Sequence, residues 1–154
     1  MTFSRRRCLL ALVLLGVSSA WAGLGENESS IVGDRLRMRA THSLAHATQY
    51  TLHELQGADG SRITQYVTGN GKVFAVTWHT LYKPDLSSLL GRSYAAYTGA
   101  AHDAARHGGM QRQFLHHGSD LVVQSSGHMS VYSGFAYRRS LLPPGINLQT
   151  IGLG

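Results

Sequence analysis

Tyr50-Thr51-Leu52-His53-Glu54-Leu55 and Arg62-Ile63-Thr64-Gln65-Tyr66-Val67-Thr68 flank Gly57-Ala58-Asp59-Gly60, and Gly69-Asn70-Gly71 leads on into Lys72-Val73-Phe74-Ala75-Val76-Thr77-Trp78. Each of the three runs is rich in β-branched and aromatic residues, which fit a pleated surface. The glycines around Asp59 let the chain reverse, and an aspartate there can bond its own backbone. Asn70-Gly71 is the strongest short-range hairpin signal. Three strands joined by tight turns form an antiparallel meander. Alternation along these strands selects no single wet face, because Tyr66 and Val67 are adjacent, as are Phe74, Ala75 and Val76. One face is therefore expected against the main core and the other beneath a helix or a partner.

Upstream, Gly23 to Ser30 reads as a small, polar, flexible lead-in. A helix is predicted from Ile31 to Ala47, with Ser29 or Ser30 at its cap and Asp34 in its first turns. Val32, Leu36, Ala40 and Leu44 recur every four residues and would form its apolar stripe. Downstream, Leu81 to Pro84 reads as a loop. Asp85 then caps a short helix that ends at Gly91. A second helix, Tyr94 to His107, carries enough alanine to lie close to a sheet and stops at Gly108-Gly109. Strands are expected at Met110–Phe114, Asp120–Gln124 and His128–Tyr132, with Ser125-Ser126-Gly127 as a turn. A further short strand covers Phe135 to Tyr137, and Pro143-Pro144-Gly145 breaks regular structure. The fold class is α+β: an antiparallel meander sheet packed with helices in one small domain.

The chain opens with Arg5-Arg6-Arg7, an apolar run from Cys8 to Val17, and Ala20-Trp21-Ala22 before Gly23. Positive charge, a short greasy segment and small residues at a cleavage site make a secretory signal. Residues 1 to 22 are assigned to it and residues 23 to 154 to one soluble domain. The apolar run falls short of the roughly 20 residues that span a bilayer, and no transmembrane segment is expected in the mature chain. Adjacent arginines suit twin-arginine export as well as the general route, and both stay open. Cys8 is the only cysteine, so the mature domain has neither disulfide nor thiol chemistry. Removing three leader arginines from the fourteen basic residues leaves eleven against eight acidic ones. That surplus of three is too small and too scattered for nucleic-acid binding, which wants a strong basic stripe. The expected compartment is the periplasm or the medium.

Nine histidines raise the question of a metal. His42 and His46 stand four apart on the predicted helix, but a zinc site needs at least a third protein ligand. His53 or Glu54 could supply it only through a fold contact. His102, Asp103, Arg106 and His107 form a second cluster, followed by His116, His117 and Asp120. An Asp103–His107 pair resembles the orienting half of an acid-base device, yet no activated nucleophile is marked beside it. Ser126 and His128 would share a strand face, without the glycine-flanked elbow of serine hydrolases. The glycine turns lack the pattern of phosphate loops. No catalytic residue, metal ligand or cofactor is assigned.

The remaining feature is aromatic. Tyr66, Phe74, Trp78 and Tyr82, with Arg62 and Arg92, are the candidate ligand-binding residues; around a groove they would suit an envelope glycan or a peptide. The meander also offers an edge that can accept another strand. Non-enzymatic binding or an envelope-associated role is therefore the first reading, and a histidine-dependent or metal-assisted hydrolase is the alternative.

Tyr50–Leu55, Gly71–Trp78, Leu81, Pro84-Asp85-Leu86, Leu89-Leu90-Gly91, Asp120–Met129 and Leu141-Leu142-Pro143-Pro144-Gly145 occur in an order that resembles the bacterial secreted family DUF2844. The resemblance covers most of residues 45 to 150. It implies a small exported bacterial protein and carries no catalytic residues with it. Residues 108 to 119, including His116-His117, depart from its pattern.

Overall fold

The computed structural model describes residues 23–108 and 113–153; the predicted leader, residues 1 to 22, lies outside them. Its center is a seven-stranded antiparallel sheet in the order β1-β2-β3-β4-β7-β6-β5. The strands are β1 (Thr41–His46), β2 (Tyr50–Gln56), β3 (Arg62–Thr68), β4 (Val73–Thr80), β5 (Gln113–His117), β6 (Leu121–His128) and β7 (Val131–Arg138). The helices are α1 (Ile31–Met38), α2 (Leu86–Leu90) and α3 (Tyr94–Gly108). A small α+β domain with an antiparallel sheet packed against helices is thus what the meander builds.

The meander itself is β2-β3-β4. Tyr50 lies opposite Thr68 and Gln56 opposite Arg62, while Arg62 also lies opposite His79. In the first turn the Gly57 N–H donates to the Ser61 carbonyl at 2.8 Å, and Asp59 Oδ1 accepts the Ser61 N–H at 2.9 Å. In the second, Gly71 has φ 76°, a left-handed conformation that glycine adopts without steric cost. Asp85 caps α2 by accepting the N–H groups of Ser87 and Ser88 at 3.1 and 3.3 Å.

Three local expectations are corrected. The helix predicted over Ile31–Ala47 ends at Met38; Arg39 turns left-handed at φ 48°, and Thr41 to His46 become β1 on β2. A strand beside β2 is joined to it by a tight turn at Ala47–Tyr50, so its backbone bonds are satisfied by the sheet. The supposed stripe is consequently not buried: Val32, Leu36 and Leu44 are exposed, and α1 buries Ile31 and Asp34. Ser30 stands at the cap but makes no side-chain cap bond; its hydroxyl donates to the Asn27 carbonyl. The lead-in is ordered, with Leu24 fully buried and its N–H bonded to the Leu89 carbonyl at 3.0 Å. Ser125-Ser126-Gly127 is not a turn but part of β6. The reversal comes at Met129 and Ser130, whose φ values of 45° and 66° fit a type I′ turn without glycine. In the β5 prediction, Met110 to Arg112 lie outside the described residues. The helix predicted over Tyr94–His107 is present as α3 and lies beside β5, with Tyr97 packed edge-on against Phe114.

The sheet is covered on both faces, which explains the absent wet face. On one side Leu55, Ile63, Val76, Trp78 and Val123 pack beneath Leu24, Ile31, Leu89 and Leu90. On the other, Tyr66, Phe74, Val122 and Tyr137 lie under the chain's own tail, through Leu141, Leu142, Ile146, Leu148, Ile151 and Leu153. This cover is neither a helix nor a partner. The Tyr66 hydroxyl donates to the Ile151 carbonyl at 3.2 Å. Phe74 is the extra residue where the β3–β4 register shifts between Tyr66 and Val67, a bulge that lets Phe74 and Ala75 join the same core. Gly134 faces Trp78 across β4 and β7; a Cβ there would sit 2.5 Å from the indole, so only glycine lets Trp78 lie flat.

Candidate ligand-binding cleft

The six ligand-binding candidates do not line one groove. Tyr66 and Phe74 are buried under the tail, and Trp78 is buried on the opposite face of the sheet. Arg62 is half-exposed at 3.7 Å from Glu54, and Arg92 is exposed at 3.0 Å from Glu26. Of the four candidate aromatics, Tyr82 alone presents most of its surface, at 71% exposure. A tyrosine in the connection between β4 and α2 has no sheet partner to cover it, whereas strand aromatics are drawn into one core or the other.

Tyr82 stands on the wall of a cleft of about 450 Å³. The C-terminal end of α1, the β2–β3 turn and the β4–α2 connection enclose it. Its base holds a buried polar cluster that the sequence did not signal. Asp34, 3% exposed, receives Gln65 Nε2 on Oδ2 at 2.8 Å and the Ser88 hydroxyl on Oδ1 at 3.3 Å. Arg37, one turn along α1, donates to both Asp34 and Ser88. Burial pushes the Asp34 carboxyl above its usual range, against the pull of Gln65, Arg37 and Ser88. Three acidic side chains (Asp34, Asp59, Asp85) and three basic ones (Arg37, Arg39, Lys83) line the cleft. Several already have partners within the protein: Asp59 holds Ser61, and Asp85 holds the start of α2.

The histidines sort differently from their spacing. His42 lies on a strand, and its Nε2 is 3.1 Å from His53 Nδ1, the rings stacking at 5.2 Å. Glu28 Oε1 is 3.0 Å from the other ring nitrogen of His53, off the line required for a hydrogen bond, so Nε2 has an ionic neighbor but no aligned acceptor. Burial lowers the His53 pKa, helped by His42 and opposed by Glu28. Glu28 and His42 thus sit on opposite sides of one ring and do not converge, and among the described residues no three potential ligands gather around a point. Glu54, the other sequence candidate, pairs with Arg62 instead.

The other clusters also dissolve into local pairs. His107 Nδ1 meets the backbone carbonyl of Asp103 at 2.8 Å, not its carboxylate. His116 stacks on Phe114. Asp120 bonds Arg138 Nε at 2.7 Å and the Ser140 N–H at 2.9 Å; burial would raise its pKa, but these bonds outweigh it and lower the pKa. Ser126 shares its hydroxyl with Ser133 at 3.0 Å, across the β6–β7 hairpin.

A family model described as a protein of unknown function, DUF2844, matches residues 20–151. No curated protein and no solved structure matches the chain. Among the described residues no helix is long and apolar enough to cross a membrane.

Proposed function

The chain belongs to the bacterial DUF2844 family of secreted or periplasmic proteins, and from that premise we propose that it is a non-enzymatic binding protein of the cell envelope whose cleft at Tyr82 takes a glycan. The observation that carries this reading is an exposed aromatic ring beside a prepaired, charge-balanced polar base. A ring face covers the apolar side of a sugar, while fixed hydroxyl, amide and carboxylate groups meet its edges. Equal numbers of acidic and basic side chains favor a neutral, hydroxyl-rich ligand over an ion. Residues 1 to 22 act as a removable leader in this reading, with 23 to 154 as the working domain; N-terminal sequencing of the exported protein should begin at Gly23.

Calorimetric titration of the exported protein with N-acetylglucosamine oligosaccharides tests the binding. Wild type should bind saturably, and Tyr82→Ala should lose binding while keeping its melting temperature. Unchanged affinity in Tyr82→Ala, or no binding by any oligosaccharide, refutes the site. The Glu28–His53–His42 chain is the one observation favoring the hydrolase alternative. Release of soluble fragments from envelope glycan, abolished by His53→Gln, would replace binding with hydrolysis.

A further inference from the structure

β1 forms one end of the sheet, and all six of its residues are exposed. Natural edges are usually blunted by lysine, proline, a bulge or a covering element. Thr41-His42-Ser43-Leu44-Ala45-His46 contains no lysine and no proline, and its register with β2 runs without a shift. The opposite edge, β5, is flanked by α3 through Tyr97 and Phe114. The phase of the β1–β2 ladder follows from the Ala47 N–H bond to the Tyr50 carbonyl at 2.9 Å. Bonded pairs alternate in an antiparallel ladder, so Ala45 and Ser43 bond inward. The amides and carbonyls of His42, Leu44 and His46 point away from the sheet.

Beside this open backbone is a hollow of about 390 Å³, lined by Val32 and Arg35 of α1 and by His42 and Leu44 of β1, with Glu28 and His53 beneath. Val32, Leu36 and Leu44 are 56%, 65% and 49% exposed. Arg35 makes no ion pair among the described residues, while the hollow's one carboxylate, Glu28, already faces His53. Pairing β1 with β1 of a second copy would bring two such basic helices together. The charge instead suits an acidic strand.

We propose that β1 accepts an extended acidic segment of another protein as an eighth strand. Its backbone bonds His42, Leu44 and His46, an apolar side chain enters between Val32 and Leu44, and a neighboring carboxylate meets Arg35. This surface is separate from the cleft at Tyr82 and does not depend on a glycan ligand.

The test uses the full chain, exported and purified from the periplasm, with a labeled nine-residue peptide in which threonine alternates with glutamate and leucine. Fluorescence anisotropy should show saturable binding that a lysine-for-glutamate peptide lacks. Arg35→Glu should weaken it about tenfold, and Val32→Glu should weaken it with an unchanged melting temperature. Leu44→Pro removes only an outward N–H, leaves the β2 ladder intact, and should abolish binding. Equal binding of the lysine peptide, retained binding by Leu44→Pro, or no saturation at about 1 mM peptide overturns the proposal. So does binding to phosphatidylglycerol vesicles that Leu44→Pro leaves unchanged, which would make this face a lipid contact. A dimer in analytical ultracentrifugation that Leu44→Pro dissociates would assign the edge to a second copy and overturn it equally.

Discussion

Leu153→Ala probes whether the tail is a structural part of the core. Leu153 is 1% exposed and packs with Tyr66, Phe74 and Tyr137, its N–H bonded to the Leu148 carbonyl at 2.8 Å. Truncating a fully buried leucine removes its transfer free energy and leaves a cavity, for a loss of about 2 to 5 kcal/mol. Because Leu153 lies outside the helices and strands, on a segment that can partly collapse, the lower half of that range, about 3 kcal/mol, is expected. In a domain of this size about 3 kcal/mol lowers the melting temperature by roughly 10 °C. Urea unfolding followed by Trp78 fluorescence is the appropriate assay, since Trp78 lies on the opposite face of the sheet and reports global unfolding rather than local loosening. Leu115→Ala, at a side chain 60% exposed, serves as control and should move stability by less than about 0.5 kcal/mol. If Leu153→Ala matches that control, the tail is not part of the core, and the Tyr66 face is available to a partner.

Gly134→Ala should be severe, because its Cβ would lie 2.2 Å from the Gln124 carbonyl oxygen and 2.5 Å from the Trp78 ring. A loss of about 3 kcal/mol is expected from overpacking, and an unchanged urea midpoint would contradict the Trp78 placement. Tyr82→Ala should leave stability within about 0.5 kcal/mol by the same assay; a larger loss would place the ring in the core and out of the cleft. His53 predicts a pH dependence of definite sign. Burial holds its folded pKa below 6.5, so as pH falls through 6.5 the unfolded chain binds a proton that the folded chain does not. Stability should decline in that direction and level off below the folded pKa. His53→Gln should flatten this slope between about pH 8 and pH 5, and equal slopes in the two proteins would refute it.

The candidate site was only partly legible beforehand. Tyr82 could be found as an aromatic in a loop beside Pro84. Asp34 was visible as a dipole partner of α1, but its burial depends on Gln65, 31 positions away, and Ser88, 54 away. Neither spacing leaves a periodic trace. His42 with His53 was unreadable for a related reason: a spacing of four puts His42 and His46 on one face of a strand as well as of a helix, so the pattern did not reveal which neighbor they would meet.

What residues 50 to 90 become is written locally, because Gly57, Gly60, Asn70, Gly71 and Asp85 specify turns and a cap through conformations within a few residues of themselves. Similar local chemistry leaves Thr41 to His46 undecided between helix and strand, and the outcome came from β2 offering a free ladder beside it. The tail over Tyr66 and the hollow beside β1 likewise belong to tertiary structure alone. Their energy comes from apolar area and backbone groups that meet only after distant segments have closed on the sheet, and no short stretch of residues contains that information.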